Sequence, residues 1–173
     1  MTTFEGGIRV PAAMRWPGTL PAGGEVRQVM TVLDLLPTLA SAAGGRPAAR
    51  KELDGKDMWP QILGGRPIPR ESLYFASKRN ETPEHNFALR RGEWKLVREV
   101  MLAGVSEHLF NIEEDPEEKN NLAAARPEIV RGLGAEIDAW RALHPRCEVQ
   151  SSMTPHPGWI PPRDYAQAAS YDY

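Results

Sequence analysis

Four histidines, a single cysteine and short runs of carboxylates are the side chains of this sequence whose types could support acid–base, metal or nucleophilic chemistry. His85 stands in the polar stretch Arg79-Asn80-Glu81-Thr82-Pro83-Glu84-His85, and an imidazole that titrates near neutral pH can face an anionic substrate. The plainer reading of a lone loop histidine is a solvated one. His108, His144 and His156 lack the spacing of zinc ligands, either with one another or with a carboxylate. Cys147 has no second cysteine to pair with, which rules out an internal disulfide and a Cys-rich zinc site. Glu113-Glu114-Asp115 carries charge enough for calcium but not the alternating oxygen ligands and central glycine of a calcium loop, and reads as a solvated turn. Asn80-Glu81-Thr82 is formally a glycosylation sequon, to which no function is attached. Trp16, Trp59, Trp94 and Trp140 could stack on a sugar, yet most of them fall in segments that read as core-facing, so packing is the reading taken.

These side chains must be positioned by elements of three different compositions. In residues 1–70, the apolar run from Val10 to Trp16 ends at Pro17-Gly18 and suits a short buried strand. Val32, Leu35, Leu36, Leu39 and Ala43 then recur at helical spacing, with Thr31 or Asp34 as N-cap, Pro37 tolerable only in the first turn, and Gly44-Gly45 beyond the end. A second short helix is expected from Asp57 to Leu63. Residues 71–144 begin with strand-like segments around Leu73-Tyr74-Phe75-Ala76, Phe87-Ala88-Leu89-Arg90 and Lys95-Leu96-Val97-Arg98, with Arg91-Gly92-Glu93-Trp94 as a hairpin connection, then His108-Leu109-Phe110-Asn111-Ile112. A helix follows, with Pro127 at its first position, Glu128 near the positive end of the dipole, and Ile129, Val130, Leu133, Ile137, Trp140 and Leu143 on one face. Gly132 and Gly134 weaken that helix, each by about 1 kcal/mol relative to alanine. Residues 145–173, rich in Pro, Ser and Tyr without a period, read as an extended tail.

Within that frame, Glu5-Gly6-Gly7-Ile8-Arg9-Val10-Pro11 followed by Arg15-Trp16-Pro17-Gly18 closely resembles the sulfatase family, arylsulfatase type, in which such a segment lies just after an active-site lysine. The resemblance continues in the family's order through Val32-Leu33-Asp34-Leu35-Leu36-Pro37-Thr38-Leu39, Leu53-Asp54-Gly55 and Arg91-Gly92-Glu93-Trp94-Lys95-Leu96. It ends with Leu109-Phe110-Asn111, Asp115-Pro116-Glu117-Glu118 and Asn121-Leu122-Ala123. Each fragment alone is weak; in series they are specific.

The resemblance implies a hydrolase of sulfate esters that uses a formylglycine, made from Cys or Ser in a Cys/Ser-x-Pro-x-Arg motif, and a divalent cation, usually calcium. No Cys or Ser here has proline two positions on, and Cys147 is followed by Glu148 and Val149 with Ser151 where the arginine should be. No catalytic residue and no metal ligand is therefore expected in this chain, and the family's lysine would align immediately before Met1. Thr2 and Thr3 would lie at the substrate rim, with His85 reaching toward substrate from the second region. Glu5 and Arg9 are expected to form an ion pair holding the loop, Gly6 and Gly7 to supply unusual backbone angles, and Pro11 to complete the motif.

The expected fold is mixed α/β, an α+β fragment. Residues 1–70 would give the last strand and helix of an alkaline-phosphatase-like α/β/α sandwich, residues 71–144 a small antiparallel sheet covered by a C-terminal helix, and residues 145–173 the tail. The implied partners are a missing N-terminal catalytic portion, which would bring calcium and formylglycine, and a sulfate-ester substrate. A non-catalytic relic or a binding module for sulfated glycans is the alternative. With 21 basic and 23 acidic residues dispersed along the chain, no footprint for nucleic acid is visible, and no apolar run reaches the roughly 20 residues that span a membrane. The first residues carry neither a basic n-region nor an apolar h-region, so no signal peptide is read and the compartment stays open.

Overall fold

The structure, a computed structural model, describes residues 2–46, 52–78 and 85–143. The chain divides into two compact units, one of Met1–Arg9 with Ser72–Tyr173 and the other of Val10–Glu71.

The first unit is built on a four-stranded meander in which β1 (Leu73–Lys78), β2 (His85–Arg91), β3 (Trp94–Met101) and β4 (Gly104–Asn111) lie in sequence order, each antiparallel to the last. Gly92 makes the β2–β3 turn possible: its φ of 58° is the left-handed value that a tight connection between the paired Arg91 and Trp94 demands. Alternation along the strands sends Phe87, Leu89, Leu96 and Leu109 to one face, where Val130, Leu133 and Ile137 of α4 (Pro127–Ala142) close over them. Burying an aliphatic side chain of that size contributes about 1.5–3 kcal/mol, so this face accounts for most of the unit's cohesion. At its margin Tyr74 stacks on Trp140 with ring centres 5.1 Å apart. Arg98 bonds Glu107 across the sheet and Asp138 on the helix, each at 2.8 Å. Gly134 lies beneath Arg98, and a Cβ there would come 2.5 Å from the guanidinium and require that side chain to shift.

The opposite face carries Ala88, Val97 and Phe110, with Phe75 beside them, and it is covered by residues from the other end of the sequence. Phe4 meets Phe110 edge-on at 6.0 Å and His108 at 5.8 Å, and α1 (Glu5–Ile8) follows directly. Residues 2–9 thus belong with the sheet, so the boundary expected near residue 70 misses a segment that rejoins the sheet from far away in sequence.

In the second unit, residues 10–16 form no strand; Val10 is 78% exposed and Met14 46%, contrary to the buried strand expected there. An apolar run with Pro11 inside lacks a backbone donor, and no described strand lies alongside to pair with it. Thr31 and Asp34 form a capping box around a 3-10 turn (Val32–Asp34) that leads into α2 (Leu35–Ala42), and Pro37 sits in the first turn, where it costs least. Gly44, with φ of 76°, ends α2, and α3 (Trp59–Ile62) is shorter than the helix expected at Asp57 to Leu63. Trp16 leans on Trp59 at 5.5 Å. The apolar stripe read from the sequence is there but faces outward: Val32 is 77% exposed, Leu36 59% and Leu39 53%, while Pro37 and Thr38 are the buried residues of α2.

Candidate functional site

Lys95 is fully buried on the sheet face that α4 does not cover, and a desolvated ammonium requires partners. It has two: Glu5 Oε1 and Glu118 Oε1, each 2.8 Å from Nζ. Glu118 also accepts the Glu5 backbone N–H at 2.5 Å, so one carboxylate holds both the lysine and the main chain of the N-terminal segment. Removing one member of such a buried cluster leaves an uncompensated charge, at a cost of about 3–5 kcal/mol.

The turn that delivers Glu118 is made by side chains that bond main-chain amides. Asn111 Oδ1 accepts the N–H groups of Glu113 and Glu114 at 3.1 and 3.3 Å. Asp115 accepts those of Lys119 and Asn120 at 3.1 and 2.7 Å, and these bonds hold its carboxyl below the usual range, the Asn120 amide foremost. Asn121 Oδ1 accepts the Leu109 and Ala123 amides, both at 3.0 Å. Glu118 itself has φ of 55°, a left-handed conformation that costs a non-glycine residue roughly 1–2 kcal/mol. The Asn and Asp positions of the C-terminal motif are thereby explained as turn formers.

A second hub organises residues 31–70. Asp34, fully buried, accepts the amides of Thr31 at 2.7 Å and Lys56 at 2.8 Å and an Arg70 N–H at 2.5 Å. Burial alone would raise this carboxyl, but the Arg70 guanidinium and the two amides outweigh it and hold it below the ordinary carboxylate range. Thr38 Oγ1 accepts the Met58 amide at 2.9 Å, which turns the polar side of α2 inward. Gly55 is obligatory, because a Cβ there would sit 1.9 Å from the Leu33 carbonyl oxygen.

Of the residues singled out from the sequence, Thr2, Thr3 and Glu5 come together; Thr3 is 1% exposed and Glu5 7%. Thr2 Oγ1 accepts the Phe4 amide at 3.3 Å. Gly7 permits the close return of the chain, since a Cβ there would be 2.5 Å from the Thr2 carbonyl oxygen. Gly6 is exposed, and nothing in the structure explains it. The expected Glu5–Arg9 pair does not form: Glu5 pairs with Lys95, whereas Arg9 is exposed and gives its backbone N–H to the Glu5 carbonyl at 2.8 Å. Pro11 is exposed and falls in the other unit. His85 stacks on Phe87 at 6.0 Å, on the α4 side of the sheet, so the structure does not bring it to Thr2 and Thr3. His108 lies between Glu99 and Asn121, at 3.2 Å from each. Cys147, His144, His156, the sequon and the tail fall outside the described residues.

Lys95 and Glu118 were not anticipated from the sequence. Their signals exist: Lys95 alternates in phase with the core residue Val97, and Asp115-Pro116 announces the turn that aims Glu118. Calcium does not fit the described residues. Among the described residues no group of three or more His, Cys, Asp or Glu converges, and the buried carboxylates are committed to amides, Lys95 or Arg70.

Comparison with known proteins gives concordant results. The family described as N-sulphoglucosamine sulphohydrolase, C-terminal, matches residues 2–141. Arylsulfatase A of Homo sapiens is 32% identical over 195 residues, covering 92% of this chain and 38% of that protein. N-acetylgalactosamine-6-sulfatase of Canis lupus familiaris is 43% identical over 74 residues, which are 43% of this chain and 14% of the relative. Among solved structures, a 2-O GAG sulfatase superposes with a TM-score of 0.54 at 24% identity, over 69% of this chain and 26% of the other; that likeness concerns the fold, which is alkaline-phosphatase-like.

Proposed function

Because the chain belongs to the N-sulphoglucosamine sulphohydrolase C-terminal family, and so to the sulfatases, we propose that it supplies the C-terminal portion of an arylsulfatase-like sulfuric ester hydrolase and works only when joined to a catalytic portion. It spans 38% of the length of Arylsulfatase A, and the remainder of such an enzyme would bring the nucleophile, as formylglycine, and the calcium ligands. Attack at sulfur needs an activated nucleophile and positive charge on the sulfate oxygens. The buried lysine among the described residues, Lys95, is shielded between two carboxylates and so is not placed to neutralise a sulfate.

The observation that carries the reading is the outward stripe of the 3-10 turn and α2. Val32, Leu33, Leu36 and Leu39 are each more than half exposed, an apolar stripe of the sort that another protein surface covers. The test is complementation. Purified alone, the chain is expected to leave p-nitrophenyl sulfate unhydrolysed; combined with a sulfatase N-terminal portion bearing the Cys/Ser-x-Pro-x-Arg motif, it is expected to restore calcium-dependent turnover. Hydrolysis above background by the isolated chain would overturn the proposal, and so would failure of every combination to turn over.

A further inference from the structure

Resting on that reading, we propose that Lys95 and Glu118 are positioning residues: with Glu5 they latch residues 2–8 onto the sheet and so fix Thr2 and Thr3, the residues that the resemblance puts at the substrate rim. The segment that carries Thr2 and Thr3 returns to the sheet face opposite α4, where Phe4 supplies apolar anchoring against Phe110 and His108. An apolar contact of this kind excludes water without fixing the chain along its own axis. The latch adds direction. Glu118 grips the main-chain N–H of Glu5 at 2.5 Å, and Lys95 grips the Glu5 side chain at 2.8 Å, so the residue two places beyond Thr3 is held at two points.

Stability alone gives little reason to build this cluster. Buried ion clusters are often replaceable by apolar side chains without loss, since desolvation offsets much of their attraction. The backbone at Glu118 is also held at φ of 55°, in a conformation where glycine would sit without strain. The charged residue there, with Asp115 bracing the turn through the Lys119 and Asn120 amides, places a carboxylate on Lys95 and on the Glu5 amide at a position where the turn itself would accept glycine. Gly7 completes the arrangement by letting the chain pass against the Thr2 carbonyl. Thr3 is buried, and its hydroxyl has no hydrogen-bond partner among the described residues, so the segment is ordered around a polar group that the sheet unit itself does not use.

The decisive variants are Glu118→Gly, which removes the carboxylate while relieving the backbone, and Glu118→Gln, whose amide oxygen can still accept the Glu5 N–H. In the 173-residue chain, Glu118→Gly is expected to speed amide exchange at Glu5, Gly7 and Arg9 by about tenfold or more beyond any change in the β2–β3 amides, which report the stability lost when Lys95 loses a partner. In the complete enzyme, this chain together with its catalytic portion, the same variant is expected to lower kcat for p-nitrophenyl sulfate by about tenfold with KM nearly constant, and Glu118→Gln to recover most of it. Unchanged exchange at residues 5–9 overturns the latch. Faster exchange with an unaltered kcat overturns the positioning role alone. A wild-type complete enzyme that turns over no sulfate ester overturns the sulfatase reading and the positioning role with it, whatever the exchange shows.

Discussion

Asp34 illustrates how one side chain can tie together residues from Thr31 to Arg70. Its carboxylate collects the nearby Thr31 amide together with the Lys56 amide and the Arg70 guanidinium, which are distant in sequence. The carboxyl is held below its ordinary range in the folded protein, so the unfolded state binds its proton first as pH falls. The stabilisation is therefore complete above the unfolded value and disappears as pH drops through the folded one. Residues 10–71 are expected to lose structure in that acid window, and the tilted Trp16–Trp59 pair, 5.5 Å apart, provides a fluorescence reporter within the same unit. Asp34→Asn is expected to abolish this acid step and to destabilise the unit at neutral pH by roughly 3 kcal/mol, because Arg70 is left buried without its counter-charge. An acid transition of wild-type depth in Asp34→Asn would show that another carboxylate governs it.

At the level of elements, the sheet and its covering helix were legible because each carried concordant local signals. Gly92 flanked by alternating residues marked the hairpin, and Pro127 with apolar residues from Val130 to Ile137 marked α4 and its buried face. What escaped was long-range. Periodicity says which residues of a helix are apolar but not what covers them, so α2 was placed correctly while its stripe proved to be the exposed side. Residues 10–16 were read as a strand from apolar content alone, although a strand exists only where a neighbour accepts its hydrogen bonds. The cluster of Glu5, Lys95 and Glu118 was hidden for the same reason, Glu5 lying 90 residues from Lys95 and 113 from Glu118. The contrast between faces is measurable. Ile137→Ala, in the fully buried seam between α4 and the sheet, is expected to cost about 2–5 kcal/mol in urea unfolding of the sheet unit. A loss below about 1 kcal/mol would mean that α4 is not the cover of that core.

For the molecule as a whole, the question is why a polypeptide keeps Val32 and Leu36 at 77% and 59% exposure along one side of a turn and helix. Isolated exposed apolar residues need no explanation, but residues four apart on a helix line up, and Leu39 at 53% extends the line. Within its own unit the stripe contributes little to cohesion, since the polar side of α2, through Thr38 and the neighbouring Asp34, makes the internal bonds. Charging it should therefore separate folding from assembly. Val32→Glu combined with Leu36→Glu is expected to leave the thermal midpoint of the isolated chain nearly unchanged, as surface substitutions usually shift stability by less than about 0.5 kcal/mol each. The same pair is expected to raise the chain's solubility and to weaken reconstitution with the catalytic portion by at least about a hundredfold, because two carboxylates would have to be buried unpaired at the contact. Glu118→Gly, by contrast, is expected to spare assembly and to slow turnover. Were the doubly charged variant to reconstitute as well as the wild type, the apolar stripe would not be the surface that the rest of a sulfatase covers.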